Sequence, residues 1–184
     1  MSELASTRQL RAGLLRWVLF LVPGILLLGY LSGVAANSGP GNPWFASLDK
    51  PPLYPPPEVF GVVWTVLYIL MGLALAIVAT ARGARGRGLA AGAFLVQLAL
   101  NLAWSPVFFG AHQMTAALWL LVALDVMVLV TTILFFRVRL AAGLLMLPVL
   151  GWVLFATVLN WQFIEANPGA DGAEVSGAVT RVAI

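Results

Sequence analysis

The residues with the most evident chemistry in this chain are aromatic and amide side chains that recur at helical spacing. Residues three or four positions apart lie on the same face of a helix. Three such faces occur: Trp64 and Tyr68; Gln97, Asn101 and Trp104; and Trp152, Ala156, Leu159 and Asn160. Indole rings with a few amides suit a flat aromatic ligand that has polar edges. For any one amide taken alone, a hydrogen bond between neighbouring helices is the commoner role.

The sequence offers little for catalysis or metal binding. Asp125 is the only acid deep within an apolar run, where a charge is costly and marks a functional hypothesis. A proton or ion pathway is one interpretation, and a carboxyl that is protonated or hydrogen-bonded to Thr131, Thr132 or a neighbouring helix is the other. His112 is the sole histidine, so it cannot build a metal site; an axial haem ligand and a solvated loop residue remain its alternatives. We expect no catalytic residues and no metal.

The composition is that of a membrane protein. Of the 184 residues, 61% are hydrophobic and 9% are charged, whereas soluble domains have about 45–50% apolar and about 25% charged residues. This excludes a water-soluble enzyme, a disordered chain and, because a net charge of +3 is too small for a basic patch, a nucleic-acid binder. The absence of cysteine excludes disulfide scaffolds and thiolate metal sites.

Five continuous apolar runs are each long enough to cross a bilayer, which takes about 20 residues. They predict an all-α membrane protein, a bundle of five transmembrane helices that forms a single domain over residues 1–165, followed by a flexible C-terminal tail at 166–184. The predicted helices cover residues 13–36, 57–80, 89–109, 114–136 and 140–164, with local kinks or caps at Pro106 and Pro148. A signal peptide is an alternative for the first run. Its 24 residues exceed the roughly 7–15 of a signal core, which favours a retained helix.

The basic residues are sorted by side. With five spans, Arg8, Arg11, Arg16, Arg82, Arg85, Arg87, Arg137 and Arg139 share one side, and Lys50 and Arg181 lie on the other. The positive-inside rule then predicts a cytoplasmic N-terminus and a C-terminus outside. A bacterial inner membrane is the preferred location, and an outer membrane is the alternative.

The first loop, residues 37–56, is dense in aromatic residues and prolines. Proline fixes the backbone and leaves little entropy to lose, so this segment is expected to be stiff. It is either an interfacial aromatic belt or a rigid lid over a cavity between helices, and composition alone does not separate the two.

Three motifs give the chain a resemblance to a known family. The sequence WFASLDKP at residues 44–51 is followed by WTVLY at 64–68, then by QLALNLAWSPVFFG at 97–110 and by LPVLGWVLFATVLN at 147–160. In this order and spacing the chain resembles the TspO/MBR family, which includes the tryptophan-rich sensory proteins and the peripheral-type benzodiazepine receptors. The resemblance extends from Trp44 to Asn160.

The resemblance implies a five-helix bundle, commonly dimeric, with a ligand cavity capped by the first loop. It also implies binding of tetrapyrroles such as protoporphyrin IX and haem, and in many relatives of cholesterol and benzodiazepine- or isoquinoline-type drugs. The cavity residues that it transfers are Trp64, Tyr68, Asn101, Trp104, Phe108, Trp152, Ala156 and Leu159, with Trp44 and Phe45 at the lid and Lys50 and Pro51 shaping it. Gln97 is added because of its place on the second face.

The chain departs from the family pattern at several positions. The loop aromatic expected two residues after the Lys-Pro pair is shifted to Tyr54, and Glu58 replaces a Trp that often begins the second span. Where the sterol-recognition pattern requires Tyr and then a basic residue, this chain has Trp161 and Glu165. Sterol binding is therefore in doubt.

The leading functional hypothesis is a membrane receptor or sensor that sequesters a porphyrin-type ligand and needs no cofactor of its own. A transporter of tetrapyrrole or lipid is the first alternative, although the chain shows no inverted repeat of the kind that many transporters have. The second is light-dependent breakdown of a bound porphyrin, with Trp64 and Trp152 as electron partners.

Overall fold

The computed structural model describes residues 7–173 and consists of helices joined by short loops, with no strand in that range. The helices are α1 (Thr7–Ala35), α2 (Pro43–Ser47), α3 (Pro57–Thr80), α4 (Arg87–Ser105), α5 (Met114–Val138) and α6 (Leu140–Ala166). A π-helical turn, Pro106–Gly110, extends α4. All the helices but α2 are long and apolar enough to cross a membrane. The predicted all-α bundle of five spans is therefore confirmed.

The prolines within the spans act differently from one another. Pro106 begins the π-helical turn, because it has no N–H to continue the α-helical ladder. Pro23 and Pro148 instead lie inside α1 and α6, which continue through them. At the other end of the bundle, α5 and α6 are separated by one extended residue, Arg139. The turn between α5 and α6 is tight, and the backbone of Gly143 lies against the Phe136 ring.

The long helices form a ring whose spatial order differs from the chain order. Helix α1 packs on α3, α3 on α6, α6 on α5 and α5 on α4, and α4 returns to α1 through a smaller contact. The contact between α1 and α3 is close because a Cβ added at Gly72 would lie 2.8 Å from the Cα of Val22. Most of α1 nevertheless faces outward, as expected for a peripheral span in lipid.

The ring is filled on one half and open on the other. Near the arginine-rich loops the core is dense: Met71, Val78 and Met146 are fully buried, and the rings of Phe94 and Phe135 stack 5.8 Å apart. Toward the first loop the helices surround a cavity. The filled half therefore forms the floor of that cavity.

Candidate ligand-binding site

A cavity of about 590 Å³ lies between α1, α3, α4 and α6 on the side of the first loop. Two residues of α5, Leu121 and Leu124, contribute to its inner wall. Pockets that bind small molecules have volumes of about 300–1,000 Å³. The cavity thus has the size of a site for a drug-sized or cofactor-sized ligand.

Eleven of the 27 residues that line the cavity are aromatic, and several of their rings contact one another. Trp64 and Tyr68, one turn apart on α3, have ring centroids 5.4 Å apart. On α4, the rings of Trp104 and Phe108 stack at 5.0 Å. Trp152 on α6 meets the edge of Phe60 at 6.0 Å. Because each ring is fixed by a neighbour, the wall is preorganised for a planar apolar ligand.

Several polar groups lie within this apolar wall. The Tyr68 hydroxyl donates a hydrogen bond of 3.0 Å to Asn101 Oδ1, which joins α3 to α4. The indole N–H groups of Trp104 and Trp152 and the Oδ1 of Asn160 are buried without a hydrogen-bond partner among residues 7–173. A buried donor without an acceptor costs free energy. These atoms are covered by protein, so they do not face the cavity.

The structure brings eight of the ten predicted site residues together around the cavity. They are Trp64, Tyr68, Asn101, Trp104, Phe108, Trp152, Ala156 and Leu159. Gln97 and Trp44 are not among the lining residues. Gln97 is fully buried one turn deeper, where its Nε2 lies 3.5 Å from the Met71 sulfur. Trp44 belongs to the lid.

The first loop is the lid, and it contains a short helix. Asn42 caps α2 by accepting a hydrogen bond from the Phe45 N–H at 3.0 Å, and Pro43 follows at the first helical position. The Asn42 Nδ2 also donates to the Phe109 carbonyl at 3.0 Å, which docks α2 on the π-helical turn. Phe45 then contacts the edge of Phe109 at 5.0 Å. The lid is therefore fixed over the cavity by buried contacts.

Two lid residues outside the spans have shifted pKa values. Lys50 Nζ donates to the carbonyls of Phe45 and Leu48 at 2.6 and 2.7 Å and lies 4.5 Å from the Phe45 ring centroid. Burial lowers the pKa of Lys50, and the Asp49 carboxylate partly opposes this. Burial, together with the Glu58 carboxylate, raises the pKa of Tyr54.

Trp44 anchors the outer side of the lid. Its ring stacks on His112 at 4.7 Å and meets Phe108 edge-on at 5.5 Å. Its indole N–H donates to the Ala170 carbonyl at 3.2 Å. His112, for which the sequence left a haem ligand and a solvated loop residue open, is thus a lid contact and is not among the residues that line the cavity.

The beginning of the segment predicted as a tail is attached to the lid and to α5. Asn167 accepts from the Asp49 N–H at 2.8 Å and donates to the Asp49 carbonyl at 3.0 Å. The Asp171 carboxylate accepts from the N–H groups of Met114 and Thr115, the first residues of α5. Residues 167–173 therefore clamp the lid, and residues 174–184 lie outside the described part of the chain.

Asp125 lies between α5 and α6, away from the cavity lining. Its Oδ2 accepts a hydrogen bond of 2.8 Å from Thr157, a residue of the neighbouring helix. Thr131 and Thr132, the alternative partners, donate to carbonyls of their own helix instead. Within residues 7–173, no group of three or more histidine, aspartate or glutamate side chains is placed to hold a metal ion.

Sequence reasoning missed several parts of the cavity wall, among them Leu121 and Leu124 of α5. Phe60 and Phe163 also line the cavity, and each stands four residues from a predicted residue on the same helix, Trp64 and Leu159 respectively. Helical spacing therefore contained that signal. One face of α1 also contributes, through Leu26, Gly29, Tyr30 and Gly33, and their spacing of three and four was readable too. This contribution favours a retained first helix over a cleaved signal peptide.

Comparison with known proteins agrees with this architecture. Residues 19–165 match the model of the TspO/MBR family. The chain is 36% identical to the tryptophan-rich protein TspO of Chlorobaculum tepidum, over 79% of this chain and 92% of that protein. It is 37% identical to the tryptophan-rich sensory protein of Cereibacter sphaeroides, over 77% and 91%, and 37% identical to the translocator protein of Homo sapiens, over 79% and 87%.

Proposed function

The chain belongs to the TspO/MBR family of membrane proteins, and on that premise we propose that it is a receptor or sensor that binds a porphyrin-type tetrapyrrole. The observation that carries the proposal is the cavity of about 590 Å³, walled by Trp64, Tyr68, Trp104 and Trp152 and covered by a clamped lid. A planar macrocycle would lie between these rings. Burial of its apolar faces would supply most of the affinity.

The polar groups of the cavity fit the edge of such a ligand. Protoporphyrin IX and haem both carry carboxylates, and the side-chain amide of Asn101, which lines the cavity and is held by Tyr68, would donate a hydrogen bond to one of them. His112 is stacked on Trp44 outside the cavity lining, so binding would not depend on an iron–histidine bond. Protoporphyrin IX and haem should therefore bind with similar affinity. We do not extend the proposal to sterols, because Trp161 and Glu165 break the sterol pattern.

Titration of the purified protein with protoporphyrin IX, followed by quenching of tryptophan fluorescence, tests the proposal. Removing a buried aromatic residue from the centre of a binding site commonly costs about 2 kcal/mol or more, so Trp152→Ala and Trp64→Ala should each weaken binding by roughly 30-fold. Trp119→Ala is the matched control, since Trp119 lies on α5 with 68% of its surface exposed and does not line the cavity. Equal affinities in the Trp152 and Trp119 variants would contradict the proposal.

Sequestration is favoured over transport by the filled half of the bundle. Below the cavity, the side chains of Met71, Phe94 and Phe135 are buried in a continuous core, which leaves the ligand no evident route across the membrane. A transporter would have to open this core. Flux of protoporphyrin IX into proteoliposomes would distinguish the two functions, because a receptor binds the ligand without moving it inward.

The proposal also covers the membrane location, the orientation and the oligomeric state of the protein. We place it in a bacterial inner membrane with the arginine-rich loops in the cytoplasm, following the charge sorting.

We also propose a homodimer. Gly88 and Gly92 are exposed on α4, where small residues allow close approach of a second helix. Light scattering of the detergent-solubilised protein, corrected for bound detergent, measures its oligomeric state.

A further inference from the structure

A second concavity lies at the opposite end of the bundle from the ligand cavity. It has a volume of about 770 Å³ and is bordered by the N-terminal part of α1, the end of α3 and the turn between α5 and α6. Three arginines from these separate elements line it: Arg16, Arg82 and Arg139. We refer to this concavity as the arginine groove.

The positive charge of the arginine groove has no local compensation among the described residues. No carboxylate is among its lining residues. The carboxylates of residues 7–173 lie elsewhere: Asp49, Glu58, Glu165 and Asp171 are at the lid end, and Asp125 is bonded to Thr157 within the bundle. Like charges brought together by three chain segments repel one another, so the groove favours an anion.

The shape of the arginine donors selects a phosphate group. A guanidinium presents several N–H donors in one plane and binds phosphate oxygens in pairs. Arg139 Nη1 donates one hydrogen bond to the Val138 carbonyl, at 3.1 Å. The other N–H groups of its guanidinium remain available to a ligand. Thr80 also lines the groove, but its hydroxyl donates to the carbonyls of Ala76 and Ile77 in its own helix, so the arginines supply the donors. These donors are suited to a phosphate monoester or diester.

The apolar border of the groove indicates that the phosphate belongs to a lipid. Trp17 and Phe20 line it beside Arg16 and are 42% and 73% exposed on α1. Tryptophan favours the headgroup level of a membrane, and basic pockets between transmembrane helices are typical sites for anionic headgroups. We propose that the arginine groove binds the phosphate of an anionic phospholipid from the adjacent leaflet, with the acyl chains against Trp17 and Phe20. This site is independent of the tetrapyrrole cavity.

Trp17 serves as a reporter for the test. The protein is placed in nanodiscs of phosphatidylcholine with increasing shares of phosphatidylglycerol brominated on its acyl chains, which quenches nearby tryptophan. The difference between the wild-type protein and Trp17→Phe isolates the signal at the groove. A basic residue near the membrane surface contributes up to about fivefold in affinity for anionic lipid. The wild-type groove should therefore prefer brominated phosphatidylglycerol over brominated phosphatidylcholine by at least about fivefold.

Two triple variants separate the groove from the general charge of this end. Arg16→Gln, Arg82→Gln and Arg139→Gln together should reduce the preference to about one. Arg11→Gln, Arg85→Gln and Arg137→Gln remove the same charge from exposed positions outside the groove lining and should leave it near the wild-type value. Arg82→Gln alone, in an exposed loop where it disrupts no helix, should already lower it. Circular dichroism confirms that each variant is folded.

Three results would overturn the assignment. The first is a wild-type protein without preference, and the second is an equal loss in both triple variants, which would mean diffuse charge rather than a site. The third comes from adding millimolar inorganic phosphate to the nanodiscs. Displacement of the brominated phosphatidylglycerol by this soluble anion would mean that the groove binds a soluble phosphate and not a lipid.

Discussion

Tyr68 is positioned from two sides. Its hydroxyl donates to Asn101 Oδ1 at 3.0 Å, and its ring lies directly against the backbone of Gly29 on α1. Any side chain at residue 29 would occupy the space of the ring. The glycine is therefore as important for the cavity wall as the aromatic residue itself.

Gly29→Ala should displace the Tyr68 ring and weaken its hydrogen bond with Asn101, because the new Cβ overlaps the ring. Overpacking of this kind typically costs about 1–3 kcal/mol. We expect a lower melting temperature and weaker protoporphyrin IX binding in the same variant, measured by thermal unfolding and fluorescence titration. Gly24→Ala is the control, since nothing lies within 4 Å of a Cβ there. If both substitutions behave alike, the packing role of Gly29 is refuted.

Asn101 and Gln97 show where sequence reasoning ends at the level of single residues. Both are amides on one face of α4, four positions apart, and both were predicted to line the cavity. Only Asn101 does, because the core that includes Met71 closes the bundle one turn below it. A helical face gives the direction of a side chain, but the depth of the cavity floor depends on residues from other helices.

The lid is the element in which the sequence was only partly informative. Its stiffness followed from its prolines, and the pair Asn42-Pro43 carried the start signal of α2, which the prediction of a loop overlooked. Its attachment to residues 167–173 could not be read, because it joins segments more than 100 positions apart. Only the ring order of the helices brings these two segments together.

Asn167→Ala should loosen the lid, since it removes both hydrogen bonds between Asn167 and the backbone of Asp49. The cavity wall remains intact, so the rates of protoporphyrin IX association and dissociation should both rise several-fold while the dissociation constant changes less. Stopped-flow fluorescence measures the two rates. Glu165→Ala, an exposed change in the last turn of α6, should leave them unaltered. A change confined to the dissociation constant would show that Asn167 does not control access.

At the scale of the whole molecule, the number and extent of the spans were predictable. Each helix must satisfy its own backbone hydrogen bonds in lipid, so composition alone reveals it. The observed boundaries differ from the predicted ones by only a few residues, apart from the N-terminal extension of α1 to Thr7. The order of the helices around the ring was not predictable. Every span is apolar on nearly all sides, so its sequence contains no periodic pattern that shows which face contacts which neighbouring helix.

The sorting of arginines predicts the orientation of the whole bundle. Alkaline phosphatase, which is active only outside the cytoplasm, should be active when fused after Ile184. The same reporter inserted into the loop between α3 and α4, beside Arg82 and Arg85, should be inactive. Enzyme assays on intact bacterial cells measure both fusions. The reverse pattern would place the arginine groove on the outer side and refute the proposed orientation.

The clamp formed by residues 167–173 is made after the lid that it holds, so the two parts of the closed site are synthesised in a fixed order. Ribosomes add roughly 5–20 residues per second, and the helices that wall the cavity emerge before the clamp does. The lid, residues 37–56, is synthesised early but gains its Asn167 and Ala170 partners only after α6 has been made. Before residues 167–173 are made, the lid is therefore held by its contacts with the π-helical turn, and the clamp that fixes its outer side forms last.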